Sequence, residues 1–294
     1  MTTNSSLPTT SPMPVVPAPS PSSNLPSHEE DGYLERLVIS LEIAKLATEV
    51  AGQVGSDTIA DDLSATQSAL ALTVIIPVYN EQATIREIIA RVREVGVHQE
   101  IIIVDDYSVD GTRQILMEMA DEPDIRVLLH GYNRGKGAAL RTAFQHAQGE
   151  VVLIQDADLE YDPADYPKLL APLERGEADV VYGSRFLANA RQDTSRLHRM
   201  GNWLLTKASN LTTGQHLTDM ETCYKVFRRQ VIDRVDLEQD RFGFEPELTA
   251  KISRLGYRIQ EVPIRYQSRC YDEGKKIGAL DGLQALWCIA RYGS

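Results

Sequence analysis

The stretch VVLIQDADLEYDP, residues 151–163, joins an apolar run to a group of closely spaced carboxylates. The run VVLI predicts a buried strand, and Asp156, Asp158 and Glu160 follow it at every second position. Because side chains at i, i+2 and i+4 of an extended chain point the same way, we expect these carboxylates to converge at one strand end. Such a concentration of negative charge requires a cation, so the stretch predicts a metal site. A hydrated acidic turn is the alternative.

The composition is ordinary for a globular protein, with 43% hydrophobic and 24% charged residues in a chain of 294. The net charge of -12 argues against a nucleic-acid-binding protein, which needs a basic surface. Cys223, Cys270 and Cys288 have neither the spacing of a zinc site nor the density of a disulfide scaffold. No apolar run reaches the ~18 residues that a membrane span needs. We therefore expect a cytoplasmic protein, either free or peripheral on the cytoplasmic face of a membrane.

Four segments differ in composition. Residues 1–28 hold seven of the fourteen prolines and predict a disordered tail. Residues 29–69 predict an amphipathic helix and a linker; the helix could pack on the domain, on a second subunit or on a bilayer, so a homo-oligomer stays open. Residues 70–278 predict one large domain. Residues 279–294 predict a second amphipathic helix, which either packs on the sheet or rests at a membrane interface.

Strand-like runs alternate with helix-like segments along the domain. The predicted strands are residues 70–77, 100–104, 125–129, 151–154 and 178–182. This order predicts an α/β fold with a Rossmann-like, mostly parallel central sheet and helices on both faces. Ligands of such sheets bind beyond the carboxyl ends of the strands, where Tyr79, Asp106, Asp158 and Arg185 all fall. We expect these four side chains to share one crevice.

The polar residues of this crevice indicate a ligand that contains phosphate. Carboxylate oxygens suit Mg²⁺ or Mn²⁺, and Mg²⁺ binds through one or two carboxylates together with substrate phosphates. Asp105 and Asp106 follow a neighbouring strand, where a carboxylate can accept hydrogen bonds from a ribose hydroxyl or a base N–H. A nucleoside diphosphate would satisfy both groups. Lys136, in the sequence NRGKG, lacks the spacing of a P-loop and either contacts phosphate or starts a solvated helix.

A series of motifs resembles those of the family 2 glycosyltransferases of GT-A fold: VIIPVYNE, IIIVDDYSVDGT, NRGKGAALRTAF, QDADLEYDP and YGSRF, within residues 74–186. Later segments look like those of dolichol-phosphate mannose synthase and the polyprenyl-phosphate glycosyltransferases: RMGN, TDMETCYKVFR, FGFEPELTAKI and EVPIRYQSRCYDEGKK, within residues 199–276. The resemblance implies a metal-dependent, inverting hexosyltransferase. Its donor would be a nucleotide-diphosphate sugar, GDP-mannose or UDP-glucose, and its acceptor a polyprenyl or dolichyl phosphate.

The resemblance also implies roles for the residues that match these motifs. The nucleoside of the donor would be bound by Pro77, Tyr79, Glu81, Val104 and Asp106. The donor would contact Asp156 and Ala157, and Mg²⁺ or Mn²⁺ would be held by Asp158 with Asp156 and Glu160. The acceptor phosphate or the donor diphosphate would be bound by Arg185, Arg199 and Lys275. Catalysis would rest on Asp158, Arg185 and Arg199.

The acceptor decides whether the reaction needs a base. A hydroxyl acceptor must lose a proton to a general base, whereas a lipid monophosphate is already anionic near neutral pH. Asp219 lies where relatives with hydroxyl acceptors carry their base, so transfer to a hydroxyl is the alternative activity. Glu245 and Glu247 could also face the acceptor, but side chains two apart on a helix diverge and at most one should. A sugar-nucleotide pyrophosphorylase and a catalytically silent nucleotide-sugar-binding protein are further alternatives.

Overall fold

The computed structural model describes residues 70–187, 196–268 and 279–293. The predicted tail (1–28), the predicted first helix and linker (29–69) and Lys275 lie outside the described residues. The described chain forms a mixed seven-stranded sheet flanked by helices. The prediction of an α/β fold with a mostly parallel sheet is confirmed.

Seven strands and eight helices make up the described chain. The strands are β1 (Leu72–Val78), β2 (His98–Asp105), β3 (Ile125–Leu129), β4 (Val151–Ile154), β5 (Val180–Ser184), β6 (Lys225–Arg228) and β7 (Ile259–Pro263). The helices are α1 (Ile85–Val95), α2 (Thr112–Met119), α3 (Lys136–Phe144), α4 (Tyr166–Glu174), α5 (Arg196–Thr213), α6 (Arg229–Ile232), α7 (Phe244–Arg254) and α8 (Ala279–Tyr292). The strand order is β3-β2-β1-β4-β6-β5-β7. Neighbouring strands are parallel except that β6 is antiparallel to both β4 and β5.

Strand β1 lies inside the sheet between β2 and β4, and all seven of its residues are buried. The sequence predicted that Pro77 would end this strand, but Pro77 lies within β1 opposite Val104, and the strand ends one residue later. Strand β4 pairs with β1 only as far as Ile75. Since backbone groups two residues apart face the same side, Pro77 faces β4 beyond the end of that pairing. No hydrogen bond between β1 and β4 therefore requires the N–H that Pro77 lacks.

Strand β6 was not predicted from the sequence. It has only four residues, KVFR, and it begins with Lys225, a charged residue whose side chain is fully buried. Because β6 runs against β4 and β5, the residues that precede it lie at the edge where those two strands end. The segment that precedes β6 therefore lies at the same edge of the sheet as the segments that follow β4 and β5.

Residues predicted to share a crevice follow the carboxyl ends of strands that run in one direction. Tyr79 follows β1, Asp106 follows β2, and Arg185 follows β5. The segment with Asp156 and Asp158 follows β4. Strand β5 has the direction of β4 because both are antiparallel to β6. The four segments therefore lie along one edge of the sheet.

Helices α5, α7 and α8 pack against one another. Helix α8 corresponds to the predicted amphipathic segment 279–294, and its buried side chains are Ala285, Cys288, Ile289 and Tyr292. Its outward face keeps Trp287 53% exposed. Within the described ranges, none of the helices combines the length and the apolar character that crossing a bilayer would require.

Two glycines bring the start of α3 against the loop before α7. A Cβ at Gly137 would lie 2.2 Å from the backbone oxygen of Gln239. Gly135 has a φ of +103°, and a Cβ there would lie 2.4 Å from the backbone oxygen of Asp240. The N–H of Ala138 donates to that same oxygen at 3.0 Å. This close approach of two backbones fixes the start of α3.

The substitution Gly137→Ala should therefore destabilise the fold. Its Cβ would overlap a backbone oxygen, and relief requires moving α3 or the loop, at a cost of about 1–3 kcal/mol. Gly131→Ala is the control, because a Cβ at Gly131 meets nothing within 4 Å. We expect the control to stay within about 0.5 kcal/mol of the wild type. Urea unfolding measures both variants, and equal midpoints would show that the close approach is not a constraint.

Candidate active site

Asp106 binds the loop that leads into α3. One of its carboxylate oxygens accepts from the N–H of Arg134 at 2.8 Å, and the other accepts from the N–H of Gly135 at 2.7 Å. The first oxygen also lies 2.7 Å from Nδ1 of His130. Asp106 is buried, so these partners replace the water that its charge would otherwise need. Both oxygens of Asp106, the residue predicted to bind the nucleoside, therefore already have partners within the protein.

Asp105 is bound in a similar way by Arg113. The Nε of Arg113 donates to a carboxylate oxygen of Asp105 at 2.7 Å, while its Nη2 donates to the backbone oxygen of His130 at 2.7 Å. The N–H of Ser108 donates to the other Asp105 oxygen at 3.2 Å. Sequence reasoning missed Arg113, although its place in the first turn of α2, eight residues after Asp105, puts it within reach.

Two hydrogen bonds join the loops that follow β1 and β2. Asn80 has a φ of +55°; its N–H donates to Oγ of Ser108 at 2.9 Å, and its side-chain oxygen accepts from the N–H of Val109 at 2.8 Å. Pro77 and Val104, which were predicted to bind the sugar donor, are buried in the strands. Tyr79 and Glu81 are half-buried in the loop, where Glu81 accepts from Oγ1 of Thr84 at 2.9 Å.

The carboxylates after β4 do not follow the alternation that the sequence predicted. Strand β4 ends at Ile154, and the chain then turns, with a φ of +63° at Leu159. Asp158 accepts from the N–H of Glu160 at 3.1 Å, which closes a local turn. Glu160 accepts from the hydroxyl of Tyr266 at 2.7 Å. The predicted convergence by strand alternation is wrong, because side-chain period two requires extended backbone.

Gln155, which sequence reasoning missed, anchors the acidic turn to the core. Its side-chain oxygen accepts from the hydroxyls of Tyr166 and Tyr224, each at 2.7 Å. Its amide donates to the backbone oxygen of Asp156 at 3.0 Å. Gln155 is fully buried, and its two bonds from tyrosine hydroxyls are shielded from water. The backbone before Ala157 and Asp158 is therefore held rigidly.

Lys136 contacts Asp156, and the interpretation of Lys136 as a solvated helix start is wrong. Its Nζ lies 2.7 Å from Oδ1 of Asp156 and 3.9 Å from Oε1 of Glu245, and only 16% of its side chain is exposed. Burial alone would lower the pKa of Lys136, but the acidic groups around it raise that pKa above its usual value. Lys136 therefore stays cationic beside the acidic turn.

Glu245, at the start of α7, is buried within the same group. Burial raises its pKa to about 8, against the opposing charges of Lys136 and Lys225. Its Oε2 has no hydrogen-bond partner among the residues that the structure describes. Glu247, two residues on, binds Lys251 at 2.7 Å and accepts from the N–H groups of Glu238 and Gln239. Of the two glutamates, Glu245 is the one that faces the site.

A second buried cation, Lys225, extends the group toward β5. Its Nζ bonds to the backbone oxygen of Thr222 and lies 4.8 Å from the ring centre of Tyr182. Burial lowers the pKa of Lys225, and burial also raises the pKa of Glu221 close by. The sequence did not predict that Lys225 and Glu221 are part of this group. A buried lysine at the start of a short strand looks the same in sequence as an exposed one.

Arg185 and Asp219 form a bidentate ion pair. The Nε and Nη2 of Arg185 donate to the two carboxylate oxygens of Asp219 at 2.7 Å and 2.8 Å, and the backbone N–H of Arg185 donates at 3.0 Å. Asn202 of α5 donates to Asp219 as well, at 3.0 Å. Asp219 is fully buried and both of its oxygens are in use. The guanidinium of Arg185 also lies 5.1 Å from the ring centre of Tyr266.

The remaining predicted basic residues lie apart from this pair or outside the described chain. Arg199 is exposed in the first turn of α5, three residues before Asn202. Lys275 lies outside the described residues. The structure therefore brings Arg185 to the edge of the sheet and places Arg199 one turn from the residue that contacts Asp219.

Seven charged side chains, buried or partly buried, form one group along the edge of the sheet. Its carboxylates are Asp156, Glu245, Glu221 and Asp219, and its cations are Lys136, Lys225 and Arg185. We call this set the charge cluster. With every member ionised, the charge cluster is one positive charge short of neutrality. A bound proton or an added cation would balance it.

The raised pKa of Glu245 makes fold stability depend on pH. Since its folded-state pKa is about 8 against an ordinary 4.5, the folded protein keeps a proton that the unfolded chain has lost. Stability should therefore fall as the pH rises from about 5 to about 8, by up to ~1.4 kcal/mol for each pH unit. In thermal unfolding, Glu245→Gln should flatten this dependence of stability on pH. Glu94→Gln, at an exposed position, is the control. Parallel slopes for the wild type and Glu245→Gln would refute the assignment.

Comparisons with known proteins agree with the fold and the motifs. The family model "Glycosyl transferase family 2" matches residues 73–236, more than half of the chain. The glucosyl-3-phosphoglycerate synthase of Mycobacterium tuberculosis, solved in complex with Mg²⁺ and uridine diphosphate, has a similar fold. Its TM-score is 0.62 at 22% sequence identity, over 79% of this chain and 83% of that one. The predicted GT-A fold is confirmed.

Curated relatives share more of the sequence. The undecaprenyl-phosphate mannosyltransferase of Micrococcus luteus is 32% identical over 74% of this chain and 92% of its own length. Glycosyltransferase AglJ of Haloferax volcanii is 33% identical over 68% of this chain, which spans 64% of that relative. The undecaprenyl-phosphate 4-deoxy-4-formamido-L-arabinose transferase of Edwardsiella ictaluri is 32% identical over 69% of this chain, which spans 62% of that relative. The chain is therefore a glycosyltransferase and belongs to glycosyl transferase family 2.

Proposed function

We propose that the protein moves a hexose from a nucleotide-diphosphate sugar to a polyprenyl phosphate, with inversion at the anomeric carbon and with Mg²⁺ or Mn²⁺ bound. The donor would be GDP-mannose or UDP-glucose. Support for the acceptor class comes from the Micrococcus luteus relative, whose length the chain covers almost completely. The reaction would take place at the edge of the sheet, on the cytoplasmic face of a membrane.

The observation that carries this proposal is the ion pair between Arg185 and Asp219. A hydroxyl acceptor needs a base, and both oxygens of Asp219 already accept hydrogen bonds from Arg185. A phosphate acceptor is an anion and needs no base. Asp219 uses the Nε and Nη2 of Arg185, and we assign the Nη1 of the same guanidinium to the acceptor phosphate. Asp219 is then a positioning residue that fixes the angle of Arg185.

The residues present fit a divalent cation shared with the donor diphosphate. Within the described ranges, no group of three or more His, Cys, Asp or Glu side chains is arranged to hold a metal alone. Mg²⁺ suits such a place, because it takes one or two carboxylates and fills its other positions with water and substrate phosphate. Asp156 and Asp158 would supply those carboxylates, whereas Glu160 is engaged by Tyr266. The ion would offset negative charge beside the charge cluster and stabilise the departing nucleoside diphosphate.

The chain's own residues would act mainly by positioning. Gln155 holds the backbone of Asp156, and Lys136 holds its side chain with a charge that burial does not remove. Arg185 would hold the phosphate oxygen in line with the anomeric carbon. Fixed groups of this kind lower the barrier because their orientation is set before the reaction begins.

One observation favours a second candidate, transfer to a hydroxyl with Glu245 as the base. Glu245 is buried, has an unpartnered oxygen in the described structure and has a pKa raised to about 8, all of which suit a general base. In this candidate Glu245 would replace Asp219, whose oxygens are in use. The two candidates differ in the acceptor they need.

A panel of acceptors separates the candidates. With Mg²⁺ or Mn²⁺ and each donor in turn, nucleoside diphosphate release should require a polyprenyl phosphate and should be absent with the matching polyprenol. Glu245→Gln should then keep most of the activity. Release with the polyprenol alone, lost about a hundredfold or more in Glu245→Gln, would favour the hydroxyl candidate instead.

Asp158→Asn tests the metal. It keeps the shape of the side chain but removes the charge, and we expect turnover to fall about a hundredfold or more while the unfolding temperature stays near that of the wild type. Asp121→Asn, at an exposed position just after α2, is the control. Near-normal turnover of Asp158→Asn at limiting Mn²⁺ would refute the assignment.

A further inference from the structure

His130 is a buried histidine for which the proposed reaction has no role. It follows strand β3 directly, at the sheet edge that carries the candidate active site, and only 6% of its side chain is exposed. Its backbone is held on both sides. The N–H of His130 donates to the backbone oxygen of Asp105 at 2.9 Å, and its own oxygen accepts from Nη2 of Arg113 at 2.7 Å. The place of the ring is therefore fixed by its backbone.

Both ring nitrogens of His130 have partners, and the partners lie on different elements. Nδ1 lies 2.7 Å from Oδ1 of Asp106, in the loop after β2, and Nε2 lies 3.0 Å from Oγ1 of Thr142, on α3. An ionised carboxylate can only accept, so Nδ1 carries a proton and donates it to Asp106. The hydroxyl of Thr142 also reaches the backbone oxygen of Ala138 at 3.0 Å, so it can give its proton to that oxygen or to Nε2. The bond from Nδ1 to Asp106 is therefore present in both the neutral and the cationic form of His130.

The bond from His130 determines which oxygen of Asp106 is left for a ligand. Oδ1 accepts from His130 and from the N–H of Arg134, at 2.8 Å, and these two bonds use both of its lone pairs. Among the residues that the structure describes, Oδ2 accepts only from the N–H of Gly135, at 2.7 Å. One acceptor position of the carboxylate therefore remains, on Oδ2, for an N–H or a hydroxyl of a ligand.

The same network holds helix α3 at two points. Asp106 binds the loop before the helix, and His130 binds Thr142 in its later part. Lys136 is the first residue of α3, and its Nζ lies 2.7 Å from Oδ1 of Asp156 in the acidic turn. His130 therefore lies between the residue expected at the nucleoside and the helix that carries Lys136.

We propose that His130 is a positioning residue for the donor: its Nδ1 fixes the carboxylate of Asp106 so that Oδ2 is available to the nucleoside. The inference rests on the proposed function for the identity of the donor as a nucleotide sugar. His130 acts through Asp106 and does not need to touch the substrate. The nucleoside is unchanged by the reaction, so Asp106 binds it equally in the ground state and the transition state. Loss of the bond from His130 should therefore raise the KM of the donor and leave kcat near that of the wild type.

Two substitutions separate the roles of the two ring nitrogens. The amide nitrogen of Asn reaches about as far as Nδ1, and that of Gln about as far as Nε2. His130→Asn can therefore keep the bond to Asp106, whereas His130→Gln keeps only the bond to Thr142. We expect the donor KM to rise about tenfold in His130→Gln and to stay within about threefold of the wild type in His130→Asn, because only the former loses a hydrogen bond to a charged group. An unchanged donor KM in His130→Gln, or the same rise in both variants, overturns the proposal.

Two further variants show whether a change reflects only a weakened fold. Thr142→Val removes the hydroxyl, keeps the shape of the side chain and leaves the bond from His130 to Asp106, so the donor KM should stay within about threefold of the wild type. His146→Gln, at an exposed histidine just after α3, is the matched control and should behave like the wild type. Thermal unfolding is measured for every variant. If His130→Gln lowers kcat together with the unfolding temperature while the donor KM is unchanged, His130 has only a structural role and the proposal is overturned.

Direct binding separates this inference from the proposed function. UDP and GDP are each titrated into the wild type, His130→Asn and His130→Gln in a calorimeter, with Mg²⁺ present and without an acceptor. The nucleotide that binds the wild type should bind His130→Asn about equally and His130→Gln about tenfold more weakly. If the wild type uses no acceptor in the turnover assay, the proposed function fails, while this difference in binding still supports the role of His130. Equal binding by the three proteins, or binding of neither nucleotide by the wild type, overturns the proposal.

Discussion

A charge removed from water must be balanced nearby, and this requirement organises the edge of the sheet where the strands end. Lys136 balances Asp156, Arg185 balances Asp219, and Lys225 interacts with the charges of Glu245 and Glu221. With every member ionised the set is one positive charge short, and a proton on Glu245 restores the balance below a pH of about 8. A protein that only needed a stable core would gain little from such an arrangement, because a buried ion pair contributes weakly to stability. A set of charges that either a proton or a cation can balance is instead suited to a site that receives a cation with its ligand.

The two ends of the charge cluster serve different substrates in the proposed reaction. Asp156 lies at the donor end, held by Gln155 and Lys136. Arg185 lies at the acceptor end, held by Asp219, which is in turn held by Asn202 of α5. Helix α5 therefore lies next to the acceptor end of the charge cluster. Donor and acceptor can then approach from different sides.

The sequence predicted the sheet and the edge that carries the site because apolar runs and polar turns follow simple periodicities. It failed where the backbone leaves those periodicities. The turn at Leu159 breaks the alternation that was expected to align Asp156, Asp158 and Glu160. Lys136 and Lys225 are of a residue type that is usually exposed. Their burial depends on packing by elements distant in sequence. Asp219 matched a motif for a base, but its pairing with Arg185, 34 residues away, is visible only in three dimensions.

The reversed direction of β6 couples the charge cluster to folding. Lys225 pairs with Tyr182 in the antiparallel ladder between β5 and β6. Slipping β6 by one residue would turn Lys225 to the opposite face of the sheet. Glu221 and Glu245 would then lose a neighbouring cation while still buried. We expect such a misregistered chain to be much less stable than the native one. Lys225 therefore helps to set the register of a strand that is too short to define it alone.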